Sequence, residues 1–463
     1  KSKMNKVNKI LFLVPDGVGI RNFLYSKVLY YLKETTEIII WSPLPKTAFS
    51  HVEELHNISI NYKSIKLDSE SFLSRFFRES TTYARLIINS KKQKNKTILL
   101  NWRRPKNNKK LLVLYIFAEL LGRIISNNYK LVLFFEKIGV KNWSNTKIEK
   151  YQRELLELGP NSIFITHQRV AGLMPICLAA NRLKIKTSTA IYSWDNLPKA
   201  RLCVKANYYL VWSSWMQQEM KDYYPEIEES KVLCVGTPQF EFYSQDDMLV
   251  DRQIFASAHG LDSNKKWICY SGDDITTSPH DPVFLRDVAK AISNIDEVQI
   301  IFRRCPVDFS NRYDDVLEEY NQLIIPIDPI WNNKSANWVG YFSTLEDISL
   351  QVNLANHCNS VINLGSTMAH DFATQNKPCL YLKYDPVKDI DISINSIYSF
   401  QHFRSMIGLE AVLWINSKEE ILEKVQQSLK SPNSVAVDRQ KWLEKIVLHP
   451  LNKNSLNIAK AIL

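Results

Sequence analysis

The sequence is poor in glycine and contains no long apolar run. Only 12 of its 463 residues are glycine, which argues against a loop-rich or fibrous architecture. The longest apolar run, residues 111–118, is broken at Glu119 and is far shorter than the ~20 residues that a membrane-spanning helix requires. Low-complexity tracts and repeats of fixed period are also missing, which excludes a solenoid or a propeller. These absences predict a folded protein without transmembrane helices.

Cysteines are few and show no pairing pattern. The chain has seven, none of them in a Cys-x-x-Cys spacing, and several lie inside apolar, strand-like runs. This pattern disfavours both a disulfide framework and a zinc site. Asp389 and Asp391 form an Asp-x-Asp sequence, but it lies late in the chain and is interpreted as a solvated loop. We therefore expect free thiols, no bound metal and a cytoplasmic location.

Positive charge is concentrated in one segment. The net charge is +11, and between Lys91 and Lys110 there are nine basic residues and no acidic one. The segment can be a solvated loop, or it can dock on anionic lipid headgroups, to which each basic residue contributes on the order of 1 kcal/mol. The apolar residues 111–125 that follow favour a peripheral membrane contact. Nucleic acid is not an expected partner, because no nucleic-acid-binding module accompanies the patch.

The chain is too long for one ordinary core, and its pattern restarts in the middle. Strand-like and helical segments alternate from residue 8 and, after a helical and basic stretch, again from residue 162. A second series begins at residue 267 and follows a polar connection. Such alternation predicts parallel sheets. We expect an α/β fold with two doubly wound, Rossmann-like domains, 4–243 and 244–440, that face a cleft, and a C-terminal helix in 441–463 that can return to the first domain.

The loop after one strand of the second half is the leading candidate for a phosphate site. The strand is predicted to end at Asn363, Gly365 permits a tight turn, and Ser366 and Thr367 begin a helix that also contains Asp371. Free backbone N–H groups and the helix dipole at such a turn favour a phosphate. Serine and threonine are also ordinary helix N-caps, so the local sequence alone leaves both interpretations open.

Two further loops are expected at the same edge, because the carboxyl ends of parallel strands form the ligand-binding edge of a sheet. Ser271 and Gly272 follow the first strand of this half, and Arg303 and Arg304 follow the second. An arginine pair facing a diphosphate can form bidentate, charge-assisted hydrogen bonds. The alternative is a surface salt bridge, which contributes little.

Three residues of the first half are candidate proton acceptors. Asp16 follows the first strand in a turn whose Gly-x-Gly is too incomplete to predict dinucleotide binding. His167 and Asp195 follow two later strands. A sugar hydroxyl that attacks an anomeric carbon loses its proton, and a positioned aspartate or histidine can accept it. Each of the three can instead have a structural role, for example in organising its turn.

Four motifs in order resemble one enzyme class. The motifs are Ser-Trp-Asp-Asn at 193–196, Tyr-Leu-Val-Trp at 209–212, Val-Gly-Thr-Pro-Gln at 235–239 and Gly-Ser-Thr-Met-Ala at 365–369, and a late Gln-His-Phe-Arg segment at 401–404 accompanies them. Over roughly residues 160–450 the sequence thereby resembles bacterial GT-B-fold glycosyltransferases of surface polysaccharide synthesis. Their fold is shared with non-hydrolysing UDP-GlcNAc 2-epimerases and CDP-glycerol glycerophosphotransferases.

This resemblance implies a nucleotide-diphosphate sugar as donor in the second domain, an acceptor in the first domain, and no metal or other cofactor. It implies that Ser366 and Thr367 hold the diphosphate and that Arg303 or Arg304 neutralises the leaving group. The Glu-x7-Glu pattern of many retaining members is absent, since residues 365–377 contain no glutamate, and this favours inversion. We expect transfer to a glycan or lipid-linked acceptor at the inner membrane face. An epimerase, a glycerophosphotransferase and a non-catalytic scaffold are the alternatives.

Overall fold

A computed structural model describes residues 8–332 and 341–463, and its first half contains a seven-stranded parallel sheet. The strand order is β3-β2-β1-β4-β5-β6-β7, and every neighbouring pair is parallel. The strands are β1 (Asn8–Leu13), β2 (Thr36–Ser42), β3 (Asn61–Ser64), β4 (Ser162–Ile165), β5 (Lys186–Ala190), β6 (Tyr208–Val211) and β7 (Val232–Cys234).

The second half contains a six-stranded parallel sheet and a short antiparallel hairpin, β11–β12. The order in the sheet is β10-β9-β8-β13-β14-β15. The strands are β8 (Lys266–Ser271), β9 (Val298–Arg303), β10 (Ile324–Pro326), β11 (Trp331–Asn332), β12 (Phe342–Ser343), β13 (Ser360–Asn363), β14 (Cys379–Leu382) and β15 (Leu413–Ile415).

Helices connect the strands in both halves. In the first half they are α1 (Gly17–Gly19), α2 (Val28–Leu32), α3 (Ser50–His56), α4 (Phe72–Lys92), α5 (Lys109–Ile125), α6 (Tyr129–Lys141), α7 (Asn145–Leu158), α8 (Met174–Arg182) and α9 (Ser214–Tyr223). In the second half they are α10 (Arg252–His259), α11 (Asp281–Ile292), α12 (Asp314–Glu319), α13 (Leu345–His357), α14 (Met368–Thr374), α15 (Ile394–Ile397), α16 (Ile421–Lys430), α17 (Arg439–Ile446) and α18 (Asn454–Ile462).

Both faces of each sheet are buried, which explains the continuous apolar runs of their strands. In β1, Ile10 and Phe12 enter one core, whereas Leu11 and Leu13 enter another on the opposite face. The second sheet behaves in the same way, because adjacent residues of β8 also belong to different cores. Two parallel sheets with helices packed on them confirm the predicted α/β fold with two Rossmann-like units.

Each sheet has one point where the strand order reverses. In the first sheet β1 lies next to β4, and the strands that follow each of them are added in opposite directions. In the second sheet the corresponding neighbours are β8 and β13. Loops at such a switch point diverge and leave a crevice at the carboxyl ends of the strands, where ligands of doubly wound proteins bind. The loops after β1, β4, β8 and β13 are therefore the structural candidates for a site.

A helical layer, α4–α7, is inserted between β3 and β4. Ion pairs attach it to the first sheet's unit. The buried guanidinium of Arg85 lies 3.0 Å from Glu136 of α6 and 2.7 Å from Glu226 in the loop after α9. Breaking a buried pair by removing one partner typically costs 3–5 kcal/mol. No helix among the described residues has both the length and the hydropathy needed to cross a bilayer.

The C-terminal segment leaves the second sheet and lies against the first. The hydroxyl of Ser162 in β4 donates to the carbonyl of Ile462 at 2.6 Å, and Ser455 donates to Glu241 at 2.6 Å. Gly236, in the loop after β7, has φ +82° and packs against the Asn454 side chain, whose Nδ2 donates to the Thr237 carbonyl at 3.2 Å. The chain is interrupted between α17 and α18 and does not form one continuous helix.

Local details differ from the predicted elements. The helical spacing of apolar residues over 20–33 predicts a single helix, whereas the structure has a π-helical turn at Ile20–Leu24 and a break before α2. The cause is Ser26, whose hydroxyl donates to the Phe23 carbonyl at 2.7 Å and accepts from the Val28 N–H at 3.3 Å, because such bonds compete with the helical ladder. The short strands β3, β15 and the hairpin were not predicted.

Substitution of Gly236 by alanine tests whether the packing of α18 against the first half stabilises the protein. An added Cβ would overlap the Asn454 side chain, whereas Gly260, at φ +68°, has no atom within 4 Å of its added Cβ. Both variants carry the left-handed backbone strain, so their difference isolates the overlap, which we expect to cost about 1–3 kcal/mol. Thermal unfolding should show a lower Tm for Gly236→Ala than for Gly260→Ala. Equal losses would show that α18 does not depend on this contact.

Candidate functional site

A cleft of about 300 Å³ lies between the two halves at the carboxyl ends of their strands. Seven of the eight donor-site residues predicted from the sequence line it, namely Ser271, Gly272, Arg303, Arg304, Ser366, Thr367 and Asp371. The eighth, Gly365, lies immediately behind the cleft wall. The first half contributes Val18, Arg21, Asn22, Tyr192, Ser193, Trp212 and Gln239 to the lining.

The turn after β13 is held in a fixed conformation. Gly365 has φ +68°, and an added Cβ would lie 2.9 Å from the Phe403 ring. The Ser366 N–H donates to Asn363 Oδ1 at 2.9 Å, and Ser366 Oγ accepts from the Met368 N–H at 3.3 Å. The Ser366 hydroxyl therefore caps the first turn of α14. Hydrogen bonds within the turn fix the positions of Ser366 and Thr367 at the cleft.

Arg303 is buried, at 4% exposure, and is oriented by an aspartate. Its Nη2 lies 3.0 Å from both carboxylate oxygens of Asp347 in α13. Asp347 also accepts from the Ile330 N–H and the Trp331 indole, each at 2.8 Å, so its position is set from three sides. The Arg303 Nη1 is buried and has no hydrogen-bond partner among the described residues. A buried donor without a partner is uncommon, and this one belongs to a side chain that lines the cleft.

Arg304 differs from its neighbour although the sequence placed them together. Its Nη1 donates to the Ser310 carbonyl, and its Nε lies 3.6 Å from the exposed carboxylate of Asp328. The guanidinium also lies 5.5 Å from the Tyr313 ring centroid. Arg304 lines the cleft, but its guanidinium is already engaged by the loop that follows β9.

The carboxyl groups of the cleft are shifted toward their neutral forms. Burial raises the pKa of Asp371, and the Tyr243 hydroxyl, which donates to it at 2.7 Å, offsets part of this effect together with Arg21. Burial and repulsion from Asp281 raise the pKa of Asp273 well above its ordinary value. Weakened negative charge beside three arginines leaves a cleft whose field favours a polyanion.

Asp16 and His167 come together at the switch point of the first sheet. Asp16 Oδ2 lies 2.5 Å from His167 Nδ1, while its Oδ1 accepts from the N–H groups of Val18 and Gly19 at 3.1 and 3.4 Å. The His167 Nε2 is buried and has no partner among the described residues. Neither residue lines the cleft, but Tyr192 does, and its ring centroid lies 4.3 Å from that of His167.

Asp195 is engaged in structural contacts. It accepts from the Ser193 hydroxyl at 2.7 Å and from Asn196 at 2.9 Å, and it forms an ion pair with Lys199. Burial alone would raise its pKa, but Lys199 and His402 lower it below the ordinary value. A carboxylate held charged by this many partners is a weak proton acceptor. The geometry therefore separates Asp195 from Asp16 and His167.

Sequence reasoning missed the residues that orient the site. Asp347 lies 44 positions from Arg303, and Arg21 donates to Gln351 across the cleft at 3.0 Å. No local pattern marks these pairs, because each joins residues from different loops and helices. His402 was noticed only within the late Gln-His-Phe-Arg segment. Its ring centroid lies 4.7 Å from that of Trp194, at the junction of the two halves.

No group of three or more histidine, cysteine, aspartate or glutamate side chains in residues 8–332 and 341–463 is arranged as metal ligands would be. Independence from metals and other cofactors stays a prediction, since the chemistry of a bound donor is not tested by the protein atoms alone.

Comparison with known proteins identifies the fold. No family model matches the sequence, and no curated protein is significantly similar to it. Solved structures do match over nearly the whole chain. UDP-GlcNAc 2-epimerase from Neisseria meningitidis bound to UDP-GlcNAc has a TM-score of 0.54 at 10% identity, with 98% of both chains covered. S. aureus MnaA with UDP has a TM-score of 0.54 at 12% identity, covering 98% of this chain and 96% of that one.

A glycosyltransferase from Rickettsia africae has a TM-score of 0.52 at 11% identity, with 99% of each chain covered. At these identities the similarity establishes the fold and nothing finer. The chain has the two-domain α/β architecture of GT-B proteins, as predicted from its motifs.

The buried His370 predicts that the free energy of unfolding of the protein depends on pH. It is fully buried in α14, its ring nitrogens have no partner among the described residues, and burial lowers its pKa from 6.5 to about 3. Below pH 6.5 the unfolded chain binds a proton that the native protein does not, so the free energy of unfolding falls as pH drops toward 3. The slope approaches ~1.4 kcal/mol per pH unit for this group.

We expect His370→Phe to reduce the fall in Tm between pH 6 and pH 4 (roughly the window set by the two pKa values). The half-exposed His51 provides the control, and His51→Phe should keep the wild-type profile. An unchanged profile in His370→Phe would show that His370 does not contribute to acid sensitivity.

Proposed function

We propose that the protein is a glycosyltransferase that moves a sugar from a nucleotide-diphosphate donor to a glycan or lipid-linked acceptor, without a metal ion and with inversion. The fold is shared with a glycosyltransferase from Rickettsia africae and with UDP-GlcNAc 2-epimerases. The observation that carries the proposal is the Asp16–His167 pair at the switch point of the first sheet, because transfer to a hydroxyl needs a positioned base.

The donor diphosphate is proposed to bind on the second half of the cleft. Arg303 offers a buried, unpartnered Nη1 whose guanidinium is oriented by Asp347. Ser366, Thr367 and the backbone of the Ser271–Gly272 loop line the same wall. A preorganised cation in a partly dehydrated cleft stabilises the charge that develops on a leaving diphosphate, and it does so without the reorganisation that water requires.

The acceptor hydroxyl is proposed to lose its proton to His167 Nε2. In this proposal Nδ1–H of the imidazole donates a hydrogen bond to Asp16, which leaves a lone pair on Nε2 to accept a proton. The Asp16 carboxylate then stabilises the imidazolium that forms. As the acceptor oxygen bonds to the anomeric carbon, the bond from that carbon to the phosphate oxygen breaks, and the nucleoside diphosphate leaves with the electron pair. A single displacement of this kind inverts the configuration. Nε2 is buried behind Tyr192, which lines the cleft, so the proposal requires the Tyr192 side chain to move before an acceptor can reach Nε2.

A second candidate, a nucleotide-sugar 2-epimerase, is favoured by the epimerase structures that match over 98–99% of this chain. Such an enzyme converts its nucleotide sugar without an acceptor. Incubation with donor alone therefore separates the two functions, because an epimerase yields an altered nucleotide sugar and a transferase does not.

The proposed reaction takes place at the inner face of a membrane, where a lipid-linked acceptor lies. All seven cysteines are free, which supports a reducing compartment. In the basic segment, Lys92 is paired with Asp222 and Arg104 with Glu119, so these two charges are not available to lipids. Lys106, Lys109 and Lys110 are exposed and are the better candidates for contact with anionic headgroups.

The acceptor end of the proposal is tested by replacing the proton acceptor. His167→Ala should lower transfer by about 10²-fold or more, since general bases contribute 10²–10⁴-fold, and Asp16→Asn should lower it through loss of the oriented imidazole. Donor binding, measured by calorimetry, should stay near the wild-type value in both variants. Transfer is followed as nucleoside diphosphate released from UDP-, GDP- and CDP-linked sugars, and as CMP released from CMP-linked sugars. Wild-type turnover in His167→Ala would contradict the assigned role.

The donor end is tested by a pair of adjacent lysine substitutions. Arg303→Lys retains the charge but loses the planar donor set, so the stabilisation of the protein by a nucleoside diphosphate should fall, with an affinity loss of about tenfold. Arg304→Lys is the matched control, because its guanidinium is engaged by Ser310 and Asp328. The readout is Tm with nucleoside diphosphates and monophosphates. Wild-type protein stabilised by no nucleotide would overturn the proposed function.

A further inference from the structure

Helix α5 presents one unusually apolar face to solvent. The face consists of Val113, Ile116, Phe117, Leu120 and Ile124, whose exposures are 52%, 38%, 57%, 52% and 67%. Residues of an α-helix are about 100° apart, so these five lie within an arc of about 100°. The opposite side of α5 is buried, and Gly122 there packs against the backbone of α4. The solvent-facing side of α5 is thus an apolar stripe that packs on no other element among the described residues.

The next helix also exposes apolar side chains. Leu131 and Phe134 of α6 are 40% and 56% exposed, and α6 begins four residues after α5 ends. We call the seven residues on α5 and α6 the apolar face. Contiguous exposed apolar surface of this kind marks an interaction site in a folded protein.

A ring of positive charge accompanies the apolar face. Within residues 106–137 six basic side chains are exposed: Lys106, Lys109, Lys110, Arg123, Lys130 and Lys137. The two acidic residues of this segment are turned inward. Glu119 is bound by Arg104 at 2.5 and 2.6 Å, and Glu136 lies 3.0 Å from Arg85 and 2.9 Å from Lys205. The segment therefore offers an apolar centre and a cationic rim with no free carboxylate.

We propose that the apolar face lies in the interface of a lipid bilayer that contains anionic headgroups, with the side chains of α5 and α6 among the upper acyl chains. In-plane amphipathic helices combine the same two features, an apolar face and flanking lysine or arginine. A nucleic acid partner would leave the exposed phenylalanine and leucine side chains without apolar contacts. Adsorption to a bilayer requires no sugar chemistry, so this inference goes beyond the proposed transfer reaction.

The helical layer is also connected to the cleft. Arg201 donates to Glu79 of α4 at 3.1 and 3.3 Å, and Arg201 lies just beyond the loop of Trp194 and Asp195. Ile98 and Ala200 pack in one small core. Helix α4, on which α5 and α6 pack, thus contacts the segment that follows the Trp194–Asp195 loop, and Ser193 of that loop lines the cleft.

The experiment is flotation of the full chain with phosphatidylcholine vesicles, with and without phosphatidylglycerol. We expect wild-type protein to float with the anionic vesicles and much less with pure phosphatidylcholine. The variant Phe117→Ser/Leu120→Ser/Ile124→Ser should bind anionic vesicles about tenfold less, with unchanged Tm because these side chains are exposed. The matched control is Ile254→Ser/Ile407→Ser, which removes side chains of 63% and 71% exposure from the second half and should bind as wild type.

Lysine-to-glutamine substitutions test whether the basic side chains near the apolar face contribute to vesicle binding. Lys109→Gln/Lys110→Gln should weaken binding to anionic vesicles, and the exposed pair Lys418→Gln/Lys430→Gln should not. The proposal is overturned if wild-type protein ignores anionic vesicles, or if the serine variant floats as wild type does. It is also overturned if light scattering shows a dimer that the serine variant splits while vesicles are not bound. Nucleotide-induced Tm shifts, measured in the same variants without vesicles, report separately on the transfer function.

Discussion

Trp194 joins the two halves of the molecule, and the cleft depends on their relative position. The indole is 3% exposed, and its Nε1 donates to Thr367 Oγ1 at 3.2 Å, so a loop of the first sheet is bonded to the switch-point loop of the second. Its ring centroid lies within 6 Å of those of His370, His402 and Trp442. This packing fixes the orientation of one sheet edge relative to the other, so the loops of the two sheets enclose a single cleft.

The buried charged residues of the cleft are held by partners of opposite charge or are shifted toward their neutral forms. Arg303 is tolerated at 4% exposure because Asp347 accepts two hydrogen bonds from its Nη2, yet one donor of the guanidinium is left over. Burial raises the pKa of both Asp371 and Asp273 toward the neutral form, and neighbouring carboxylates add to this effect for Asp273. Because the arginines stay charged while burial shifts these acids toward neutrality, the field of the cleft favours a polyanion.

Most strands and the loops after them could be predicted from the sequence, because apolar runs and turn residues are local features of the chain. Strands buried on both faces are continuous apolar runs, and the ends predicted for β1, β4, β8 and β13 agree with the structure to within a few residues. The rule that ligands bind beyond the carboxyl ends of such strands led directly to Asp16, His167, Ser271 and Ser366. The edge strand β3 escaped prediction because its Asn-Tyr-Lys-Ser sequence is half exposed and has no apolar run.

The sequence by itself therefore determined the fold class, the loops that form the cleft and the residue types available in them. Only the tertiary structure decided which of those residues act together. It paired Asp16 with His167 from loops 151 positions apart and engaged Asp195 with Lys199. It left the buried Arg303 Nη1 without a hydrogen-bond partner among the described residues, whereas Arg304 Nη1 donates to the Ser310 carbonyl. The physical reason is that hydrogen bonding, burial and pKa depend on neighbours in space, whereas periodicity and turn chemistry depend on neighbours in the chain.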